Sequence, residues 1–231
     1  MTPNPTGWHS DRMDALRGRW RADCALVAPS ADPSAVSEVG RDLLARWREP
    51  HRRYHGPTHL AEVLSAVDTL CVAEAVDRTS RSVAALAAWF HDAVYAVEPA
   101  ADNEARSASL AAEHLGRLGV EDDVTARVVA VVNDTASHAL SAGAAQDPAR
   151  VVVHDADLWV LSAPVSRFDE YCSQVREEYA RVPVAAYASA RSEVLRPFLV
   201  REHVYRTAHA RSRWEPTARE NLARELTRLA G

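Results

Sequence analysis

Apolar residues recur at helical spacing along almost the whole chain, and no run of alternating apolar and polar residues is bounded by turn residues. This pattern predicts an all-α protein. Prolines such as Pro33, Pro57 and Pro148 mark helix starts, because the first helical position needs no N–H donor. Ten helices are expected, at residues 11–27, 33–48, 57–77, 81–92, 103–118, 122–133, 148–162, 164–181, 184–200 and 216–229.

The helix that begins at Pro57 carries an apolar stripe that should face the core. His59 lies one turn before Val63 of this stripe, so it should point inward as well. His55 precedes Pro57 and lies outside the helix. The two histidines are therefore not a metal-ligand pair of the HExxH kind, which needs both on one helical face. The remaining members of the stripe are Leu60, Leu64, Val67 and Leu70.

A second polar interruption ends the segment "VAALAAWFHDAVY" at residues 83–95. The predicted helix there is almost purely apolar and closes with His91 and Asp92. Ala84 and Ala88 lie on the face that leads to His91, and such small residues let another helix approach closely. This helix should form one wall of a pocket.

A third interruption lies in "RVVVHDADLWVLSAP" at residues 150–164, where His154, Asp155 and Asp157 stand among apolar side chains. An unpartnered buried carboxylate costs several kcal/mol, roughly, so a hydrogen-bond network or a metal is expected nearby.

Together, His59, His91, Asp92 and Asp157 offer two imidazoles and two carboxylates from three predicted helices. This set of nitrogen and oxygen ligands suits Mn²⁺, Co²⁺, Ni²⁺, Fe²⁺ or Zn²⁺. The alternative is a buried polar network without a metal, because a single buried histidine is more often a satisfied core residue.

Composition limits the class of protein. The chain has 231 residues, is 47% hydrophobic and carries a net charge of −5, which predicts one globular domain over residues 1–231 and no binding of a nucleic acid polymer. Its three cysteines are far apart and predict reduced core thiols. Residues 1–10 show no secretion signal and are expected to be flexible, and no stretch reaches the length of a membrane span. We expect a cytoplasmic protein.

The order His, then His-Asp, then Asp on an all-α scaffold resembles the HD superfamily of metal-dependent phosphohydrolases. The strings "RRYHGPTHL", "WFHDAVY", "DNEARSA", "DADLWVL" and "VREEYA", within residues 52–180, resemble small bacterial proteins predicted to be HD phosphohydrolases, and "ENLARELTRL" is similar too. The resemblance implies a multi-helix bundle with one or two metals in its core, Mg²⁺ being a candidate for the second. It also implies hydrolysis of a phosphate ester by metal-activated water.

The strings "YHGPTH" and "HDADL" are also similar to cyclic nucleotide phosphodiesterases. That similarity makes His55 the catalytic proton donor and His59 a metal ligand. Asp92 would be catalytic as well as a ligand, because it helps to orient the attacking water. Gly56 and Tyr95 depart from the residues of those enzymes, so a cyclic nucleotide substrate is not implied.

A phosphorylated substrate needs positive charge, and arginine binds phosphate through a bidentate fork. Arg53, beside His55, is the first candidate. Arg176, within "VREEYA", is a second, and Arg106 is a weaker one that is better explained as part of a solvated helix face.

Two further residues are candidates for substrate binding. Glu104 is included by the resemblance, although an acidic residue in a helix's first turn also favours the helix dipole. His138 should approach the substrate or a second metal from the end of its helix. His154 and Asp155 are expected to orient the ligands, and His114 is expected on the surface.

Three function classes remain open. The first is a phosphohydrolase of a small phosphorylated metabolite or nucleotide. The second is a di-iron, oxygenase-like enzyme of the HD fold, which needs extra ligands from among His114, His138 and His154. The third is a non-catalytic helical module that a metal stabilises. No membrane partner is expected, and a homo-oligomer is left open.

Overall fold

The computed structural model describes residues 5–97, 102–141 and 143–231, with side chains from residue 11 onward. Those ranges contain no strand, and the predicted all-α, multi-helix architecture is confirmed. The helices are α1 (Pro5–Val27), α2 (Pro33–Arg46), α3 (Pro57–Ala73), α4 (Arg78–Phe90), α5 (Asn103–Arg117), α6 (Asp122–Asp134), α7 (Pro148–Asp157), α8 (Val165–Glu178), α9 (Val184–Val200), α10 (Ala208–Arg213) and α11 (Glu215–Ala230).

The observed helix boundaries differ from the predicted ones for local reasons. Helix α1 begins at Pro5, and the part of the predicted flexible segment at residues 1–4 lies outside the described residues. Helix α4 begins earlier than predicted because the Asp77 carboxylate accepts the Ser80 N–H at 2.9 Å, a capping bond that fixes the first turn. The predicted helix 148–162 is divided in two: α7 ends at Asp157, and a short 3₁₀ helix follows at Leu158–Ser162.

Helix α10 was not predicted. It has six residues, which is too few to show a period, and its start is fixed by Thr207, whose hydroxyl oxygen accepts the Ala210 N–H at 3.2 Å.

Helix α4 lies at the centre of the molecule. Every residue from Val83 to Phe90 is buried, and α4 contacts α1, α3, α5, α6 and α7. A helical stretch that is apolar all round must be surrounded by other helices, which explains why Val83–Phe90 lacks a polar face. Its carboxyl end therefore carries the next two residues, His91 and Asp92, into the middle of the fold.

Helices α3 and α7 pack on α4 and on each other. The amino end of α3 and the carboxyl ends of α4 and α7 meet at one point inside the bundle. The predicted reduced core thiols are also confirmed, because Cys24, Cys71 and Cys172 are all buried and free. In the described ranges, no helix combines the length and apolarity needed to cross a bilayer.

Trp20 of α1 joins the first two helices to the core. Its indole nitrogen donates a hydrogen bond to the Val36 carbonyl at 2.8 Å, and its ring packs edge-on against Trp89 at 5.4 Å. Gly40 of α2 lies directly against this ring. A β-carbon at residue 40 would lie only 2.4 Å from Cδ1 of Trp20, so the close approach of α1 and α2 requires glycine there.

Replacing Gly40 with alanine should destabilise the protein by about 1–3 kcal/mol, because the added methyl group overpacks a rigid indole. Gly18→Ala is the matched control: nothing lies within 4 Å of the position that its β-carbon would take. Alanine at residue 18, an exposed position within α1, should stabilise the protein by about 0.5–1 kcal/mol. Urea denaturation of both variants measures the two effects, and equal changes would contradict the proposed packing of Gly40.

Candidate metal centre

Three helix ends bring together His59, His91 and Asp157. His59 lies in the first turn of α3, His91 follows α4 directly, and Asp157 is the last residue of α7. One ligand atom from each lies within 4.8 Å of the other two. The imidazoles are 2% and 1% exposed, so the predicted inward direction of His59 is confirmed, and His91 is buried as well.

The nitrogen and oxygen atoms of this group are spaced like ligands of one ion. Nε2 of His59 lies 3.1 Å from Nε2 of His91 and 3.3 Å from Oδ1 of Asp157. Asp92 is not part of the mutually close group of three, yet its Oδ2 lies 3.2 Å from His91 and 3.6 Å from His59. Ligands at about 2.1 Å from an ion are separated by about 3.0–3.4 Å in octahedral or tetrahedral geometry.

The hydrogen bonding of His91 fixes which nitrogen is available. Its Nδ1 lies 2.9 Å from the Ala88 carbonyl, to which it donates, so Nε2 keeps its lone pair in the neutral ring. That lone pair faces Nε2 of His59. Two lone pairs at this distance repel each other unless a proton or a cation lies between them. The residues present therefore fit a divalent transition metal.

Without a metal, the carboxylates hold protons on the imidazoles. Burial lowers the pKa of His91, but Asp92 and Asp157 outweigh burial and raise it well above its ordinary value. The same balance raises the pKa of His59. Burial raises the pKa of both aspartates, but the imidazoles outweigh it and hold each well below the usual range. The group is thus close to neutral in its protonated form.

Two aromatic rings shield the centre from water. The Trp47 ring lies 5.4 Å from that of His91, and the Trp47 indole nitrogen donates to the Trp89 carbonyl at 3.0 Å. The Tyr54 ring lies 4.6 Å from the His59 ring. Because these rings exclude water, charge interactions within the centre are stronger than they would be in water.

His55 lies outside α3, as predicted, and a glutamate holds it. Nδ1 of His55 donates to Oε2 of Glu178 at 2.7 Å, which leaves Nε2 free. The imidazole also stacks on the Tyr95 ring at 4.2 Å. Both contacts fix the direction in which Nε2 points.

Glu178 is the residue of this site that the sequence prediction missed. Its Oε1 accepts the backbone N–H groups of Arg53, Tyr54 and His55 at 2.7, 2.8 and 3.0 Å. Burial alone would raise the pKa of Glu178, but the bonds from His55 and these amides hold it at about 2. The glutamate is fully buried at the end of α8. It lies in the quoted string "VREEYA", but nothing in the spacing of that string separates it from its neighbours.

A cavity of about 470 Å³ opens beside these residues. The predicted site residues His55, Asp92, Glu104, His138 and Asp157 all line it. The rest of its wall is mainly aromatic and aliphatic. This composition is typical of a small-molecule site, in which a few polar groups set the orientation of the ligand.

His138 occupies an unusual position on the cavity wall. It lies in the loop after α6 with a positive φ of 47°, which is uncommon for histidine. Its Nδ1 is buried without a hydrogen-bond partner among the described residues, and its Nε2 lies 3.9 Å from Oδ2 of Asp157. Burial lowers the pKa of His138. A neutral imidazole here can contact a ligand beside the metal centre.

The structure does not bring the three predicted phosphate-binding arginines to the cavity wall. Arg53 is 52% exposed and donates to the Pro50 carbonyl at 2.9 Å, while Arg106 lies on the surface. Arg176 donates to the Tyr179 and Val182 carbonyls at 2.5 and 3.0 Å, so it closes the end of α8.

Arg52 is buried, unlike its neighbour Arg53. It donates to the carbonyls of His55 and Asp92 at 3.1 and 2.6 Å. It therefore ties the loop that carries His55 to the turn that carries Asp92.

The prediction that His114 lies on the surface was wrong. His114, on α5, is buried, and its Nε2 lies 3.1 Å from Oδ2 of Asp42 on α2. Asp155 accepts the backbone N–H groups of Arg206 and Thr207 at 2.8 and 2.7 Å. His154 lies between Asp155 and the His138 carbonyl, at 2.8 and 3.2 Å, so this pair positions the His138 loop.

Comparison of this chain with protein-family models, curated proteins and solved structures finds no match.

Metal analysis tests the centre directly. After removal of loosely bound ions and reconstitution, the wild type should retain about one or two transition-metal ions per chain, and Asp157→Ala should retain none. Asp123→Ala, an exposed change on α6, is the matched control and should keep the wild-type content. Equal metal content in the wild type and Asp157→Ala would contradict the centre.

Metal affinity should rise with pH, because His59 and His91 hold protons that the ion must displace. Calorimetric titration with Zn²⁺ or Co²⁺ in buffers of different ionisation enthalpy measures the number of protons released. We expect up to about two per ion at pH values where both imidazoles are protonated. Affinity that does not change with pH would place the ion elsewhere.

Proposed function

We propose that this chain is a metal-dependent phosphohydrolase of the HD type, acting on a phosphate ester of a small metabolite or nucleotide. One observation carries the proposal: Asp157 of the candidate metal-ligand group, its neighbour Asp92 and an oriented histidine, His55, line the same cavity. The order of motifs in the sequence, which resembles the HD superfamily, supports the same activity.

The metal ligands would be His59, His91, Asp92 and Asp157. A divalent ion bound there supplies a Lewis acid for a phosphoryl oxygen and lowers the pKa of a coordinated water. Asp92 and Asp157 both line the cavity, and their carboxylates would orient the attacking water. The Trp47 ring packs against His91 and keeps bulk solvent from that side of the metal ligands.

His55 would protonate the leaving oxygen of the ester. Its Nε2 is free because Nδ1 donates to Glu178, and the ionised Glu178 accepts that bond and fixes the direction of the ring. This division of roles is that of a carboxylate and a histidine in hydrolases generally: the carboxylate fixes the tautomer and does not itself react.

The polar groups left on the cavity wall suit a phosphorylated ligand. Glu104 and His138 line the cavity near Asp157 and can contact ligand hydroxyl groups. Arg53 and Arg176 point elsewhere, so a divalent ion at the centre would supply the positive charge for the phosphoryl group.

The redox alternative has less support. Of its three additional candidate ligands, His114 bonds to Asp42, and both nitrogens of His154 lie within hydrogen-bonding distance of Asp155 or the His138 carbonyl. Only His138 has a nitrogen directed toward the centre. A purely structural metal site would not require the fixed orientation of His55 beside an open cavity.

The proposal is tested with protein reconstituted with Mn²⁺, Co²⁺ or Zn²⁺ and a panel of phosphate monoesters and diesters. On the best substrate, His55→Ala should lower kcat by roughly 10²- to 10⁴-fold while leaving metal content unchanged. No turnover of any ester with any of these metals would contradict the proposed function.

Glu178→Gln should lower kcat by roughly 10²-fold or more. Glutamine can still accept the three backbone N–H groups through its oxygen, which leaves its NH₂ facing Nδ1 of His55. The protonated imidazole then loses its acceptor. Glu177→Gln, at the exposed neighbouring residue, is the matched control and should behave as the wild type. An active Glu178→Gln enzyme would remove His55 from the role of acid.

A further inference from the structure

The far wall of the cavity is one face of α9. The residues of α9 that line it recur at intervals of three and four, as one helical face does. They are Tyr187, Ala190, Arg191, Val194, Leu195 and Phe198. Arg191 is thus the one charged side chain on an otherwise apolar face.

The guanidinium of Arg191 has few partners for its five N–H donors. Nη2 donates to the Tyr171 hydroxyl, and the group lies over the Tyr171 ring with Cζ at 5.1 Å from the centroid. Nε is buried without an acceptor. In the part of the chain that the structure describes, no carboxylate lies within ion-pair distance of Arg191.

Two other arginines inside the fold have carboxylate partners. Arg167 makes two bonds to the carboxylate of Glu62, at 2.6 and 2.8 Å, and Arg52 bonds to Glu49 at 3.0 Å. Arg176 instead donates to two backbone carbonyls. Among the described residues, the Arg191 guanidinium has neither a carboxylate nor a carbonyl acceptor. Arginine stays charged in proteins, and an unpaired charge against an apolar wall costs free energy.

Arg191 is connected to the metal ligands through aromatic side chains. Its guanidinium lies over the Tyr171 ring, that ring lies 4.5 Å from the Tyr54 ring, and the Tyr54 ring lies 4.6 Å from the ring of His59. Among the described residues, neither Asp92 nor Asp157 lies within ion-pair distance of Arg191, although all three line the cavity. An anion at Arg191 can therefore be a different group from one bound at the centre.

We propose that Arg191 binds a second anionic group of the substrate, so that the cavity takes a phosphate ester with a mostly apolar body and a carboxylate or phosphate at its far end. That the substrate is a phosphate ester rests on the proposed function. That a second anionic group binds at Arg191 rests only on the unpaired guanidinium and the apolar face that surrounds it. The cavity volume of about 470 Å³ is large enough for a ligand of this kind.

The probes are two non-hydrolysable phosphonates, 3-[4-(phosphonomethyl)phenyl]propanoate and its primary amide, and the two corresponding aryl phosphates. The acid and the amide differ only in the charge at the end opposite phosphorus. Calorimetry with metal-loaded wild type should show the acid binding roughly 10- to 100-fold more tightly than the amide, as expected for a charged hydrogen bond in a partly buried site. A bisphosphonate of the same length shows whether phosphate or carboxylate is preferred.

Substitution tests assign the preference to Arg191. The ratio of acid to amide affinity should fall to within about 3-fold in Arg191→Gln and be partly retained in Arg191→Lys, which keeps the charge. Arg196→Gln, at an exposed residue of the same helix, is the matched control and should keep the wild-type ratio. Equal binding of acid and amide by the wild type, or an unchanged ratio in Arg191→Gln, would overturn the inference.

Stability separates this role from a structural one. Arg191→Met removes an unpaired charge and keeps the length of the side chain, so its melting temperature should equal or exceed that of the wild type. A fall in melting temperature of more than about 5 °C would show that Arg191 stabilises the fold by holding Tyr171 in place, and it would overturn the inference. If neither aryl phosphate is hydrolysed while the acid still binds more tightly, the proposed function fails and the Arg191 site stands.

Discussion

Two carboxylates and two imidazoles are buried against one another inside this bundle, and the structure around them depends on neutralising them. The carboxylates of Asp92 and Asp157 raise the pKa of His59 and His91, and these imidazoles lower the pKa of both carboxylates. A divalent ion would supply the same compensating positive charge in place of imidazole protons. Their positions follow from helix ends. The apolar stretch Val83–Phe90 of α4 can lie only in the core, and this fixes where the next two residues emerge.

A second constraint links this centre to the loop before α3. That loop has no regular structure of its own, and the buried Glu178 supplies the acceptors for three of its successive backbone N–H groups. An ionised carboxylate in the interior is tolerated because these amides and His55 surround it. Arg52 completes the link by bonding to carbonyls on both sides of the site. The orientation of His55 is therefore a property of the fold and does not require a ligand.

The sequence predicted the direction of a side chain where the period of the apolar residues defines the buried face of a helix. His59 could be placed inward from the apolar stripe of α3, and His91 and Asp92 from the end of an apolar helix. Arg52 and Arg53 could not be told apart, because an irregular segment has no period that assigns neighbours to opposite faces. Glu178 and Arg191 were missed for another reason: each lies on a helix with several polar residues, and only tertiary packing shows which of them turn inward.

The two walls of the cavity differ in how firmly the fold holds them. The metal ligands come from α3, α4 and α7, which pack against one another in the core, so a change there disturbs folding and chemistry together. Helix α9 makes its main helix contact with α11, and several of its valines are exposed. Residues on its cavity face can therefore change with little effect on the core. The arrangement separates a fixed reaction centre from a recognition surface that can vary, which is the usual basis for different specificities on one fold.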